Sequence, residues 1–103
     1  MIAAVPQPPP ARVQVVSREF SLALSRRTVK VGTAIIELAN FGEDAHDLRM
    51  QRVGGTRVYT WPVAQSGAVE DKTVRLLRGR YRLWCSIGNH RALGMTATLT
   101  VVR

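Results

Sequence analysis

One cysteine, two histidines and two lysines are all that this 103-residue chain holds of those residue types. Each scarcity excludes something. A single cysteine rules out an intramolecular disulfide. It also rules out a four-cysteine zinc site or an iron–sulfur cluster held by this chain alone. No Cys-x-x-Cys-His occurs, so a covalently attached c-type haem is excluded. No apolar run approaches the ~20 residues that cross a bilayer as a helix. Met1 to Val5 is too short for a secretory leader and lacks the charged n-region of one. The expectation is that any leader or membrane anchor lies upstream of residue 1.

Acidic residues are also few, seven against fifteen Lys and Arg, for a formal net charge of +8. That imbalance steers a protein toward acidic partners. Arg26-Arg27 is the only adjacent basic pair, and no helical reader or base-stacking motif accompanies the charge, so nucleic acid is not the expected partner. Apolar content of 46% and charged content of 21% are ordinary for a folded soluble domain, and the length suits one domain of modest core.

Residues 1–11 form a separate segment. Pro6-Gln7-Pro8-Pro9-Pro10 favours extended polyproline II and cannot join a sheet interior, so it reads as a tail or tether ahead of a domain over 12–103. From Arg12 onward the pattern is all-β. Val13 and Val15 alternate with polar neighbours, Phe20, Leu22 and Leu24 share one face, and Val29 and Val31 share the next. Thr33 to Ala39 is a β-rich run ending in the turn signal Asn40-Phe41-Gly42. His46 to Met50 reads as a strand, Gly54-Gly55 as a turn, and Val69 to Leu77 as a strand stopped by Arg78-Gly79. Tyr81, Leu83 and Cys85 face one way, as do Ala97, Leu99 and Val101. The only helical expectation is a short turn between Trp61 and Ser66. Seven to eight short strands with frequent turn signals predict a β-sandwich.

The segment Cys85-Ser-Ile-Gly-Asn-His-Arg-Ala-Leu-Gly-Met95 places the one thiol, an imidazole and a thioether in the spacing Cys-x4-His-x4-Met. The second imidazole is His46. Two histidines and a cysteine in a plane with a long axial methionine are the ligands of a mononuclear blue-copper centre. Soft sulfur favours Cu(I), imidazole accepts both states, and the thiolate gives the electron a covalent route. Cys85 ends a strand, His90 lies on the loop and Met95 opens the return strand, so a loop of this length can close over one ion. Each residue also has an ordinary explanation. Cys85 and Met95 could be core filler, and the two histidines ordinary loop residues.

Gly79-x-Tyr81-x-x-x-Cys85-x4-His90-x3-Gly94-Met95-x4-Thr100-Val101 resembles the C-terminal signature of the cupredoxins, nearest to the plastocyanin, auracyanin and rusticyanin branch. Leu38-Ala-Asn40-x-Gly42-x3-His46-Asp47-Leu48 resembles the first-ligand motif of that family. The resemblance implies a Greek-key β-sandwich that binds one copper ion, cycling between Cu(I) and Cu(II), at its loop end. It implies His46 and His90 as Nδ1 ligands, Cys85 in the plane and Met95 on the axis. Around them it implies an Asp47 backbone N–H donating to the Cys85 sulfur, an Asp47 carboxylate accepting from Ser86, and the Ala45 carbonyl as a second axial donor. Two departures stand out: Gly88-Asn89 replaces a Pro-Gly before the loop histidine, and Ala97 replaces a glycine after the methionine.

The resemblance also implies an extracytoplasmic, periplasmic monomer that is not an enzyme. It would pass electrons between redox proteins of cytochrome or copper oxidase type, acidic ones given the charge. Ile87, Ala92 and Leu93 are the candidate docking rim around His90. Trp84, flanked by Arg80 and Arg82, is a candidate second docking face, with plain arginine–aromatic packing as its ordinary reading. Tyr81 is expected to make a corner hydrogen bond and to have no redox role. The alternatives are a copper carrier or chaperone, one domain of a larger copper oxidase or reductase, and a copper-free binding module.

Overall fold

The computed structural model describes residues 8–103, so the tail expected over residues 1–11 lies mostly outside the described residues. Nine strands follow in chain order: β1 (Ala11–Arg18), β2 (Ser21–Leu24), β3 (Thr28–Lys30), β4 (Gly32–Asn40), β5 (His46–Arg52), β6 (Val58–Ala64), β7 (Val69–Leu76), β8 (Gly79–Trp84) and β9 (Thr96–Val102). They form two sheets, one ordered β2-β1-β4-β7 and the other β3-β9-β8-β5-β6. The pairs β1–β4 and β3–β9 are parallel, and the remaining pairs are antiparallel. The all-β sandwich read from the alternating pattern is the observed architecture, with nine strands in place of seven or eight.

The difference in strand count has a local cause. The added strand is β6, which runs where a short helical turn was expected, while Ser25 to Arg27 carries the chain from one sheet to the other between β2 and β3. Phe20 and Val31 were expected to share the inward face of their runs. Phe20 instead sits in the β1–β2 turn and Val31 in the β3–β4 link, 37% and 43% exposed. Leu22 and Val29 are buried as the alternation requires.

The core lies between the sheets. Val13, Val15, Ile36 and Leu38 come from one, and Leu48, Met50, Leu83 and Leu99 from the other. The helical turn expected between Trp61 and Ser66 is a strand instead. Trp61 is buried in β6, and its indole N–H donates to the Ile36 carbonyl of the facing sheet at 3.0 Å. A buried indole needs such a partner, and the strand supplies it across the core. Helix-like turns occur in the β8–β9 loop, where Leu93 N–H reaches both the Asn89 and His90 carbonyls. No helix among the described residues is long and apolar enough to cross a membrane.

Candidate metal centre

Three connections meet at one end of the sandwich: the β1–β2 turn, the β4–β5 loop and the β8–β9 loop. Asn40, fully buried at the end of β4, shapes the second of these. Its amide donates to the carbonyls of Asp44 and Ala64 at 2.7 and 2.9 Å, and its side-chain oxygen accepts from Gly42 N–H at 2.9 Å. The loop is thereby folded back, and the chain enters β5 at His46. A one-residue register shift between His46 and Leu48 against β6 marks a bulge there. Bulges re-aim side chains. Here His46 is fully buried, and Asp47 turns toward the neighbouring loop.

Cys85 follows β8, and its N–H donates to the Met95 carbonyl at 3.2 Å, closing the loop at its base. Within the loop, the His90 N–H donates to Ile87 and the His90 carbonyl accepts from Met95 N–H, at 3.0 and 3.1 Å. The backbone of His90 is therefore tied on both sides. Cys85 and Met95 are both fully buried, and His90 is half-buried.

These connections bring the donors together. The Cys85 sulfur lies 4.0 Å from His46 Nδ1 and 3.6 Å from His90 Nδ1, and all three atoms lie within 4.8 Å of one another. The two rings are 5.1 Å apart and inclined by 60°. Both histidines present Nδ1, the atom that the sequence resemblance implied.

The surroundings of the sulfur push in opposite directions. Burial raises the Cys85 thiol above its ordinary pKa. The backbone N–H groups of Ile87 and Asp47 favour the thiolate, while the Asp47 side chain works against it. Asp47 Oδ1 accepts from Ser86 N–H at 2.6 Å, and Oδ2 accepts the Ser86 hydroxyl. The segments that carry His46 and Cys85 are thus joined through Asp47 and Ser86. Ala45 is half-buried immediately before His46.

Ala92 and Leu93 are exposed on the loop beside His90, and Ile87 is partly buried against the core. Arg80, Arg82 and Trp84 point away from the core, with Trp84 half-buried. The guanidinium stacked on Trp84, 4.6 Å from its ring centre, belongs to Arg91 of the ligand loop and to neither strand arginine.

Three residues at this end escaped the sequence reading. Phe20 places its ring 5.0 Å from that of His90. Glu19 holds a carboxylate oxygen 3.5 Å from His46 Nε2. Arg91 covers Trp84. No local motif marks any of them, because each contact depends on how distant loops converge.

No protein-family model matches the chain, and no curated protein matches it. Solved structures do. Auracyanin A, a "blue" copper protein from Chloroflexus aurantiacus, superposes with a TM-score of 0.70 at 14% identity, covering 90% of this chain and 99% of that one. A purple cupredoxin from Nitrosopumilus maritimus gives 0.60 at 18% identity, covering 88% and 98%. This chain has the cupredoxin fold. A multicopper oxidase also matches, with a TM-score of 0.70 at 14% identity over 92% of this chain and 45% of that one. At such identities the likeness establishes the fold, and the chemistry rests on the residues.

The donor set can be tested against a metal. A trigonal ion with bonds of about 2.05 Å to nitrogen and 2.3 Å to sulfur separates those atoms by about 3.8 Å. The two sulfur–nitrogen distances here bracket that value. Two imidazoles, one thiol and a buried thioether on a cupredoxin fold fit a blue-copper site.

Proposed function

We propose that this chain is a type 1 copper electron-transfer domain that passes single electrons between larger redox proteins. The observation that carries the reading is the convergence of His46 Nδ1, Cys85 Sγ and His90 Nδ1 within 4.8 Å, beside the buried Met95. Cys85, His46 and His90 would hold one copper ion in a plane, with Met95 on the axis. The chemistry supplied when copper is bound is a one-electron Cu(I)/Cu(II) couple.

The protein's own part is to keep the donors still. Reduction that moves no ligand needs little reorganisation and is therefore fast. Each donor here is fixed from outside. The Met95 backbone bonds to Cys85 and His90, Asp47 binds Ser86, and Asn40 shapes the loop before His46. Burial of Cys85, His46 and Met95 keeps water from the site. His90 is the least buried donor and the natural point of entry and exit for the electron. Ile87, Ala92 and Leu93 border it and, together with Phe20, offer an apolar rim to a partner.

The net charge suits acidic redox partners, received as a monomer in an extracytoplasmic compartment, with the proline-rich segment ahead of β1 as a tail or tether. On this reading the domain transforms no substrate and is not an enzyme. A second reading, one domain of a larger copper enzyme, is favoured by the multicopper oxidase match, which spans 45% of that chain. Oxidase activity in a longer native chain would support it.

The deciding experiment is addition of Cu(II) to purified protein while recording the visible spectrum. An intense thiolate-to-copper charge-transfer band is expected, absent from the Cys85→Ser variant. A featureless visible region in the unaltered protein would sink the copper reading.

A further inference from the structure

The Glu19 carboxylate makes three polar contacts, and all reach far along the chain. Oε1 accepts from the backbone N–H of Glu43 at 2.5 Å and of Asp44 at 2.6 Å. Oε2 lies 3.5 Å from Nε2 of the fully buried His46, 27 residues away. Room is kept for this carboxylate. A Cβ at Gly42 would fall 2.0 Å from Oε2, so the backbone there must be glycine for Glu19 to lie as it does. The neighbouring Phe20 packs its ring on His90, so one two-residue turn touches both imidazoles.

Capping two backbone N–H groups would not by itself require a carboxylate. The second oxygen explains the choice. His46 turns Nδ1 toward the Cys85 sulfur. For Nδ1 to donate a lone pair to a metal, the neutral ring must carry its proton on Nε2. Glu19 Oε2 is the acceptor placed for that proton. A carboxylate on the far nitrogen of a ligating imidazole fixes tautomer and orientation and makes the ligand more basic.

We propose that Glu19 is a positioning residue for His46: the β1–β2 turn carries a carboxylate that locks His46 in the Nε2–H form and aims Nδ1 into the metal centre. The role toward metal rests on the copper reading above, whereas the tautomer lock does not.

Glu19→Gln is the sharp test, because it keeps size and shape. Its single carbonyl oxygen cannot serve both sides. If that oxygen caps Glu43 and Asp44, the amide N–H faces Nε2, which must then accept, and the ring proton moves to Nδ1. Nitrogen NMR of the metal-free protein reads the tautomer directly. The unaltered protein should show His46 as the Nε2–H form, and E19Q should gain the Nδ1–H form. G42A, which crowds the carboxylate without changing any charge, should move the tautomer the same way. Cu(II) affinity of E19Q should fall about 10- to 100-fold, with thermal unfolding as the control for folding. An unchanged tautomer in a folded E19Q or G42A overturns the proposal. So does a switched tautomer with copper affinity within threefold of the unaltered protein. If the unaltered protein shows no charge-transfer band with Cu(II), the copper reading fails, and the NMR result still decides the lock.

Discussion

Cys85 is buried as a thiol, whereas the proposed copper site needs its thiolate. Burial raises its pKa against the help of the Ile87 and Asp47 N–H groups, so the metal-free site favours the protonated form. A metal ion must therefore displace that proton. Apparent Cu(II) affinity should rise about tenfold per pH unit while the thiol is protonated, measured by chelator competition between about pH 7 and 8. The same shift has a stability consequence. A folded pKa raised above the unfolded value of about 8.5 favours the neutral thiol. Its contribution to metal-free stability is therefore full below that pH and is lost as pH rises through and beyond it. Chemical unfolding of the metal-free protein at pH 7 and pH 10 should show this loss, and Cys85→Ser should remove the part due to the thiol.

Asp47 adds a carboxylate beside the site, bonded to Ser86. A nearby negative charge favours Cu(II), so Asp47→Asn should raise the reduction potential, on the order of tens of millivolts in voltammetry. Residues within the two motifs were legible in the sequence because their types and spacing resemble a known family pattern, even where partners such as Asp47 and Ser86 stand 39 residues apart. Glu19 was not legible. Its partner is 27 residues away, and only the meeting of two loops gives the carboxylate a role.

At the scale of elements, strict alternation made β8 and β9 readable. Tyr81, Leu83 and Cys85 are all buried, as are Leu99 and Val101. The pattern misled where a segment changes sheet or packs by a side-chain bond. The break between β2 and β3 was legible as two separate alternating runs, but nothing in Ser25 to Arg27 showed that the chain changes sheet there. Trp61 to Ala64 has an apolar spacing compatible with either state, and long-range contacts select the strand: the ladder with β5 and the cross-sheet bond from Trp61 to Ile36. Tyr81 is the opposite case, since its expected corner bond is present. The Leu77 N–H donates to the Tyr81 hydroxyl at 2.9 Å, joining the end of β7 to β8. Tyr81→Phe leaves that part-buried N–H unpaired and should cost about 1–2 kcal/mol in chemical unfolding. The charge-transfer band should not move, since the hydroxyl bonds Leu77 and makes no contact with the metal donors.

Over the whole molecule, the sequence gives the size of the charge and hides its layout. Register places Arg49 beside Trp84 and Gln51 beside Arg82, so these share the outer face of the five-stranded sheet with Arg80. Arg91 closes over Trp84 from the loop above. Most carboxylates gather elsewhere, with Glu37 opposite Asp71 in the other sheet and Glu19, Glu43 and Asp44 at the loop end, while Asp47 reaches this face 3.9 Å from Arg49. An acidic partner would therefore be drawn to the arginine face, which adjoins the ligand loop through Trp84 and Cys85. Such steering weakens as salt shortens the Debye length to about 8 Å at physiological ionic strength. Electron-transfer rates to an acidic redox protein, followed by stopped flow, should fall steeply as salt is raised. Arg80→Glu with Arg82→Glu should slow the low-salt rate by about tenfold or more and flatten the salt dependence. Arg57→Glu with Arg75→Glu, which changes the net charge by the same amount and leaves that face intact, should do much less. Equal losses from the two changes would mean that net charge, and not this face, directs the encounter.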